Sequence, residues 1–249
     1  MTKLTKLTPF LSFILLVLAG CSDGRILNSP ADSAAQPSVR ASEAISIART
    51  YASHPWRPSS RNQFHGKDPS GLQVNTPDIT MPRGLARRPG WWKPDQDNIG
   101  IPYKWGGFDT PLEFDHRLSN GAYAGDVYTV AKRKALYSGV SDYAAGVDCS
   151  GFVSRCWKLS RHYSTRALPA LCTRVMPYED LQPGDILNKY NVHVMLFAGY
   201  TDESKTHFTA FQTGAPPSWK VQEYTLNIRE VLSWGFTPYR YNNLIQDLK

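Results

Sequence analysis

Gly146-Val147-Asp148-Cys149-Ser150-Gly151-Phe152-Val153 is the stretch on which the reading of this chain turns. Beyond it, Phe152, Val153, Cys156 and Trp157 follow one helical face, so a helix begins at or just before Cys149. Asp148 is placed to cap that helix. A thiol there feels the partial positive charge of the helix N-terminus, which stabilises a thiolate and lowers the pKa. Ser150 and Gly151 are small enough to leave the sulfur open. The competing reading is a buried structural cysteine that opens a core helix.

A second stretch lies downstream. Leu181-Gln182-Pro183-Gly184-Asp185-Ile186-Leu187 predicts a tight turn feeding a strand. Val192–Tyr200 follows and is so apolar that it predicts a buried strand, with His193 at its start. An imidazole at the strand end can face a helix N-terminus. A thiol–imidazole pair drives nucleophilic catalysis: the ring takes the thiol proton and returns a proton to the leaving amine. Without the cysteine motif, His193 would read as an ordinary hydrogen-bonded strand-end histidine.

A third group should orient the imidazole. Gln212, on the next apolar stretch, can accept the ring N–H through its amide oxygen. His207 begins the same stretch and is the rival. The two positions differ by five, so strand alternation sends them to opposite faces. Gln212 lies closer to the turn residues expected at the catalytic end and is preferred.

The remaining order of elements is helices first, then strands. Ala44, Ile47, Ala48, Tyr51 and Ala52 repeat at helical spacing, which predicts a helix from Ser38 that stops at Pro55. Residues 57–98 carry loop chemistry, although Trp91 and Trp92 call for packing partners. Thr110-Pro111-Leu112-Glu113 is a capping box, and its helix should end near Gly121. A shorter helix is expected around Val127–Leu136. Strands are expected over Asp185–Leu187, Val192–Tyr200, His207–Gln212, Val221–Leu226 and Gly235–Tyr241. Helices followed by a run of strands define an α+β layout.

Composition sets the frame. In 249 residues, 41% are apolar, 20% charged and 12% aromatic, which excludes a disordered, fibrous or polytopic membrane chain. The formal charge is +7. Residues 1–20 read as a bacterial lipoprotein signal: Lys3 and Lys6 precede an apolar run, which ends in Leu18-Ala19-Gly20-Cys21. By likeness to the lipobox, Cys21 carries the lipid. Ser22 after it suits the outer membrane, so the chain is expected in the cell envelope, facing the periplasm. Residues 21–40, rich in Ser, Ala, Asp and Pro, read as a flexible tether. Export and the lack of a basic-aromatic binding motif exclude nucleic acid as a partner. The histidines have no zinc-ligand spacing, so no metal and no cofactor is expected. Cys156 and Cys172 read either as a disulfide contributing ~3 kcal/mol or as two buried free thiols. Arg155, Lys158, Arg161 and Arg166 read as solvated surface or as recognition of substrate carboxylates. The oligomeric state is not set by the sequence.

Tyr103-Lys104-Trp105-Gly106-Gly107, Asp148-Cys149-Ser150-Gly151, Pro183-Gly184-Asp185 and His193-Val194 stand in the order found in the NlpC family of bacterial cell-wall cysteine peptidases, which residues 99–240 resemble. The resemblance implies a single papain-like α+β domain over 41–249, with N-terminal helices and the catalytic helix packed on an antiparallel sheet. It implies hydrolysis of amide bonds in peptidoglycan stem peptides, often next to D-glutamate. It also implies that Tyr103, Asp148 and Ser150 bind substrate on its amine side, and that the Cys149 backbone N–H serves the oxyanion hole. The chain departs from the family pattern by insertions near 57–98 and 108–145 and by Gln in place of the commoner His. Two alternatives stand beside this expectation. One is a Cys–His hydrolase or transferase acting on a non-peptidoglycan amide or ester. The other is a non-catalytic envelope binding lipoprotein.

Overall fold

The computed structural model describes residues 36–85, 89–214 and 219–247. Lipidation at Cys21 and the signal segment lie outside the described residues.

An apolar stripe explains the first helix, α1 (Ala41–Ser53): Ala41, Ala44, Ile45, Ala48 and Tyr51 are buried. The helix begins three residues later than its periodicity suggested, because Val39–Arg40 is a short strand paired in parallel with Leu244–Ile245. Asp247 takes over the role of a cap, accepting from the Ser42 N–H and hydroxyl at 2.8 Å each. Residues 36–40, read from sequence as the end of a tether, are therefore part of the folded unit, which starts at Gln36. Gln36 itself donates to the Tyr163 hydroxyl.

The capping box at Thr110 forms as expected. Its Oγ1 accepts from the Glu113 N–H at 3.1 Å, and Glu113 Oε2 accepts from the Thr110 N–H at 2.7 Å. The helix it starts, α2, runs Pro111–Ser119. The next helix, α3 (Val130–Ala135), is shorter than its apolar spacing suggested, because Thr129 caps it through Lys132 N–H. Helix α4 covers Cys149–Cys156, and α5 covers Ile228–Ser233.

Six strands make one antiparallel sheet: β1 (Cys172–Arg174), β2 (Ile186–Lys189), β3 (His193–Tyr200), β4 (His207–Thr213), β5 (Val221–Asn227) and β6 (Thr237–Tyr241), in the order β5-β4-β3-β2-β6-β1. Five of these strands match sequence expectation to within a few residues. The three-residue β1 has no apolar alternation to announce it, and its pairing with β6 creates it.

Strand alternation divides the core into two layers. Ile186, Val194, Leu196, Phe211 and Val221 face α1 and α4. Leu187, Met195, Phe197, Phe208 and Ala210 face the other way and pack with Ile228 and Val231 of α5. Helix α4 is pinned to its layer by Phe152, Val153 and Cys156, all fully buried. Each such apolar side chain contributes about 1.5–3 kcal/mol of burial. Trp157 then stacks on Tyr241 at 4.8 Å, and its indole N–H donates to the Gly184 carbonyl. The turn Pro183-Gly184-Asp185 is tied down by Asp185, which accepts two hydrogen bonds from Arg240.

Described residues within 57–98 and 108–145 are held by specific anchors. In 57–98, Trp92 is fully buried. Trp91 and Trp92 meet Trp56 edge-on at 5.8 and 5.7 Å, so these tryptophans pack the core. In 108–145, Arg117 clamps Asp109, the Asp142 carbonyl and the Ala144 carbonyl. A buried Asp126–Lys132 ion pair at 2.6 Å fixes α3 beneath it.

Candidate active site

Asp148 builds the floor of the site. As N-cap of α4, its Oδ1 accepts from the Gly151 N–H at 2.6 Å and from the Ser150 hydroxyl at 2.9 Å. His162 Nε2 lies 3.0 and 3.1 Å from the two carboxylate oxygens, and the Gly106 N–H donates to Oδ2. Burial pushes this carboxyl up, but His162 and these donors outweigh it and hold it below the usual range. His162 is shifted the opposite way. Burial lowers it, the Asp148 carboxylate more than offsets that, and the net shift is upward. Each shift favours the charged form of its own group, so the two form an ion pair between the ordinary values of 3.8 and 6.5.

Gly151 has a second reason for being glycine. A Cβ there would sit 1.9 Å from the Gly107 carbonyl oxygen and 2.9 Å from the His162 ring. Its smallness lets the loop Gly106-Gly107 close on the helix start; the expectation that it merely clears the sulfur is too narrow.

Cys149 stands at the first residue of α4, buried, against the start of β3. The backbone N–H groups of Val194 and Ser150 favour its thiolate. They do not prevail. Burial first, and the Asp148 carboxylate second, push the thiol up to about 12. The shift runs opposite to the lowering expected from the helix start, because burial first and the Asp148 charge second outweigh those N–H groups.

His193 opens β3 on the face shared with Met195 and Phe197, opposite the layer that packs α4. It comes into the same cleft as Cys149 because it is the first residue of its strand, at the rim of the sheet. Gln212 Oε1 lies 2.7 Å from His193 Nε2. A carboxamide oxygen only accepts, so Nε2 carries the proton and the basic lone pair of the neutral ring sits on Nδ1. Phe236 meets the ring edge-on at 6.1 Å and limits its rotation. Gln212 is buried. His207 points away from this arrangement: it is exposed, and its Nδ1 lies 3.6 Å from Asp202.

The cleft has a volume of about 520 Å³, within the usual range for small-ligand sites. Tyr103, Asp148, Cys149, Ser150 and His193 all line it. Tyr103 is wedged between Trp219, at 5.2 Å, and Gly214, where a Cβ would lie 2.6 Å from the ring. The segment 108–145 supplies one wall, with Tyr128, Arg133, Leu136 and Tyr137. Arg133 donates to the Asn191 carbonyl, which ties that wall to the turn before His193.

Sequence reasoning missed His162. It lies in a segment without periodicity, and only the return of the chain after α4 brings it to Asp148. Cys156 and Cys172 are both free thiols, which settles the open question of a disulfide. Cys156 is packed in the core, and Cys172 Sγ donates to the Leu168 carbonyl. Among the described residues, no cluster of His, Cys, Asp and Glu is arranged to hold a metal. Nor is any helix among them long and apolar enough to cross a membrane.

The fold and site define a mixed α+β protein with a cysteine and a histidine lining one cleft and a glutamine bonded to the histidine. Comparison with protein-family models, with curated proteins and with solved structures finds no match.

Proposed function

We propose that this protein is a cysteine amidase or peptidase that hydrolyses amide bonds in peptidoglycan stem peptides, built on a papain-like domain of NlpC type. The observation that carries this reading is the 2.7 Å hydrogen bond from His193 to Gln212 in the cleft that also holds Cys149 at a helix start. With Nε2–H held by Gln212, His193 Nδ1 is the base for the thiol. Because the thiol is pushed up to about 12, it is deprotonated as it attacks the scissile carbonyl, not beforehand. The new S–C bond gives a tetrahedral oxyanion, which the Cys149 backbone N–H meets. Collapse breaks the C–N bond, with the proton passing from His193 to the leaving amine. Water, activated by His193, then hydrolyses the thioester and restores the thiol.

Tyr103, Asp148 and Ser150 form the substrate-binding wall. The Asp148 carboxylate already has the partners described above, so its part is to hold Ser150, Gly106 and His162 in place around the substrate. In this reading the chain is a lipoprotein anchored through Cys21 in the bacterial envelope, at the outer membrane facing the periplasm, and its partner there is peptidoglycan.

The test is incubation of the full chain with purified muropeptides, with new amines followed by mass spectrometry beside a Cys149→Ala control. Cleavage by the wild type and none by the variant supports the reading; no cleavage by either removes it. The apolar wall of Tyr128, Leu136 and Tyr137 favours, as second reading, a Cys–His enzyme for another amide or ester. Turnover of aryl or acyl esters without muropeptide cleavage identifies that case.

A further inference from the structure

The charges lining the cleft do not balance. Asp148 is the one carboxylate among the lining residues, and it is spent on His162, Ser150 and two backbone N–H groups. Against it stand two guanidinium groups, Arg133 and Arg166. Arg133 is held by the Asn191 carbonyl. Arg166 is half-buried and makes no hydrogen bond or ion pair with any described residue. A guanidinium that gives up part of its water without gaining a partner costs free energy unless a ligand supplies one. Its planar fork matches a carboxylate in two parallel hydrogen bonds.

We propose that Arg166, with Arg133 as the second cation of the cleft, forms a subsite for a carboxylate on the substrate, so that the peptide cleaved carries a free carboxylate near its scissile amide. This rests on the stem-peptide hydrolase reading and deepens it. The segment Ser164–Arg166 carries one arginine and the wall of Tyr128, Leu136 and Tyr137 carries the other, on either side of Cys149 in the chain. The acid specificity is thus built by segments outside the four motifs.

The test separates binding from turnover. Full-length Cys149→Ala protein is titrated by calorimetry with the tripeptide L-alanyl-γ-D-glutamyl-L-lysine, with its carboxylates free or both amidated. The free acid should bind roughly ten- to a hundred-fold more tightly than the diamide. Adding Arg166→Ala or the longer Arg166→Gln should bring the two within about threefold, and circular dichroism checks that each variant is folded. Equal binding of acid and diamide overturns the subsite, as does binding of neither. Displacement of the tripeptide by inorganic phosphate at equal concentration overturns its carboxylate specificity. Acid preference that depends on Arg166, in a wild-type chain that cleaves no muropeptide, keeps the subsite and removes the hydrolase reading. Muropeptide cleavage without acid preference does the reverse.

Discussion

Gln212 Oε1 lies 2.7 Å from His193 Nε2, and the two side chains share a sheet face that α4 does not touch. Leu196 of β3 pairs with Phe211 of β4, which puts His193 and Gln212 on the opposite face from that pair and within diagonal reach. His193 and Gln212 are thus joined across the β3–β4 pairing.

Removing that acceptor frees the ring. Gln212→Ala should lower kcat on muropeptides by about ten- to a hundred-fold, or about 1.4–2.8 kcal/mol, with little change in KM. Gln212→Glu keeps an acceptor at the same reach and should retain most of the activity. A kcat unchanged in Gln212→Ala would remove the orienting role.

The thiol should behave as a thiol. With Cys149 pushed up to about 12, alkylation by iodoacetamide should be slow at pH 7 and rise close to tenfold per pH unit between about 7 and 10. Asp148→Asn removes the neighbouring negative charge and should speed alkylation at neutral pH. Fast labelling with a plateau on the acid side would instead show a preformed thiolate–imidazolium pair.

The Asp148–His162 pair makes stability depend on pH. The Asp148 carboxyl is lowered in the fold, so its contribution is present above its ordinary value of 3.8 and is lost as pH falls through the lower folded value. His162 is raised, so its contribution is full below 6.5 and is lost as pH rises through the higher folded value. Thermal unfolding of the wild type and His162→Gln should therefore differ most between about pH 4 and 6.5 and converge in alkaline buffer. A constant difference across pH 4–9 would show that His162 acts by packing alone.

Arg240 covers a fully buried carboxylate. Arg240→Met leaves Asp185 without its two charged hydrogen bonds and should cost about 3 kcal/mol in urea unfolding near neutral pH. Burial raises the Asp185 carboxyl even with Arg240 in place, and losing Arg240 raises it further, so the loss should shrink as pH falls through that raised value and be small at about pH 3.5. A loss equal at pH 3.5 and 7 would place its origin in side-chain packing.

The sequence by itself determined the elements whose signals are local. The α4 start at Asp148-Cys149, the capping box at Thr110 and the strands carrying His193 and Gln212 are each written in a few adjacent residues, because caps, helical faces and strand alternation act over one or two turns. Parity allowed only one of Gln212 and His207 to face the site, and nearness to the turn residues chose Gln212. The tertiary structure decided the remainder. The strand Cys172–Arg174 exists because β6 offers an edge. His162 reaches Asp148 only when the chain folds back after α4, and no periodicity marks it. Burial first and the Asp148 charge second raise the thiol, and both are properties of the packed site. The wall of the cleft, with Tyr137 and Arg133, comes from a segment whose place depends on the Arg117 clamp and the buried Asp126–Lys132 pair. Contacts between residues far apart in the chain pay their ordering entropy only once the core has formed, so no window of sequence contains them.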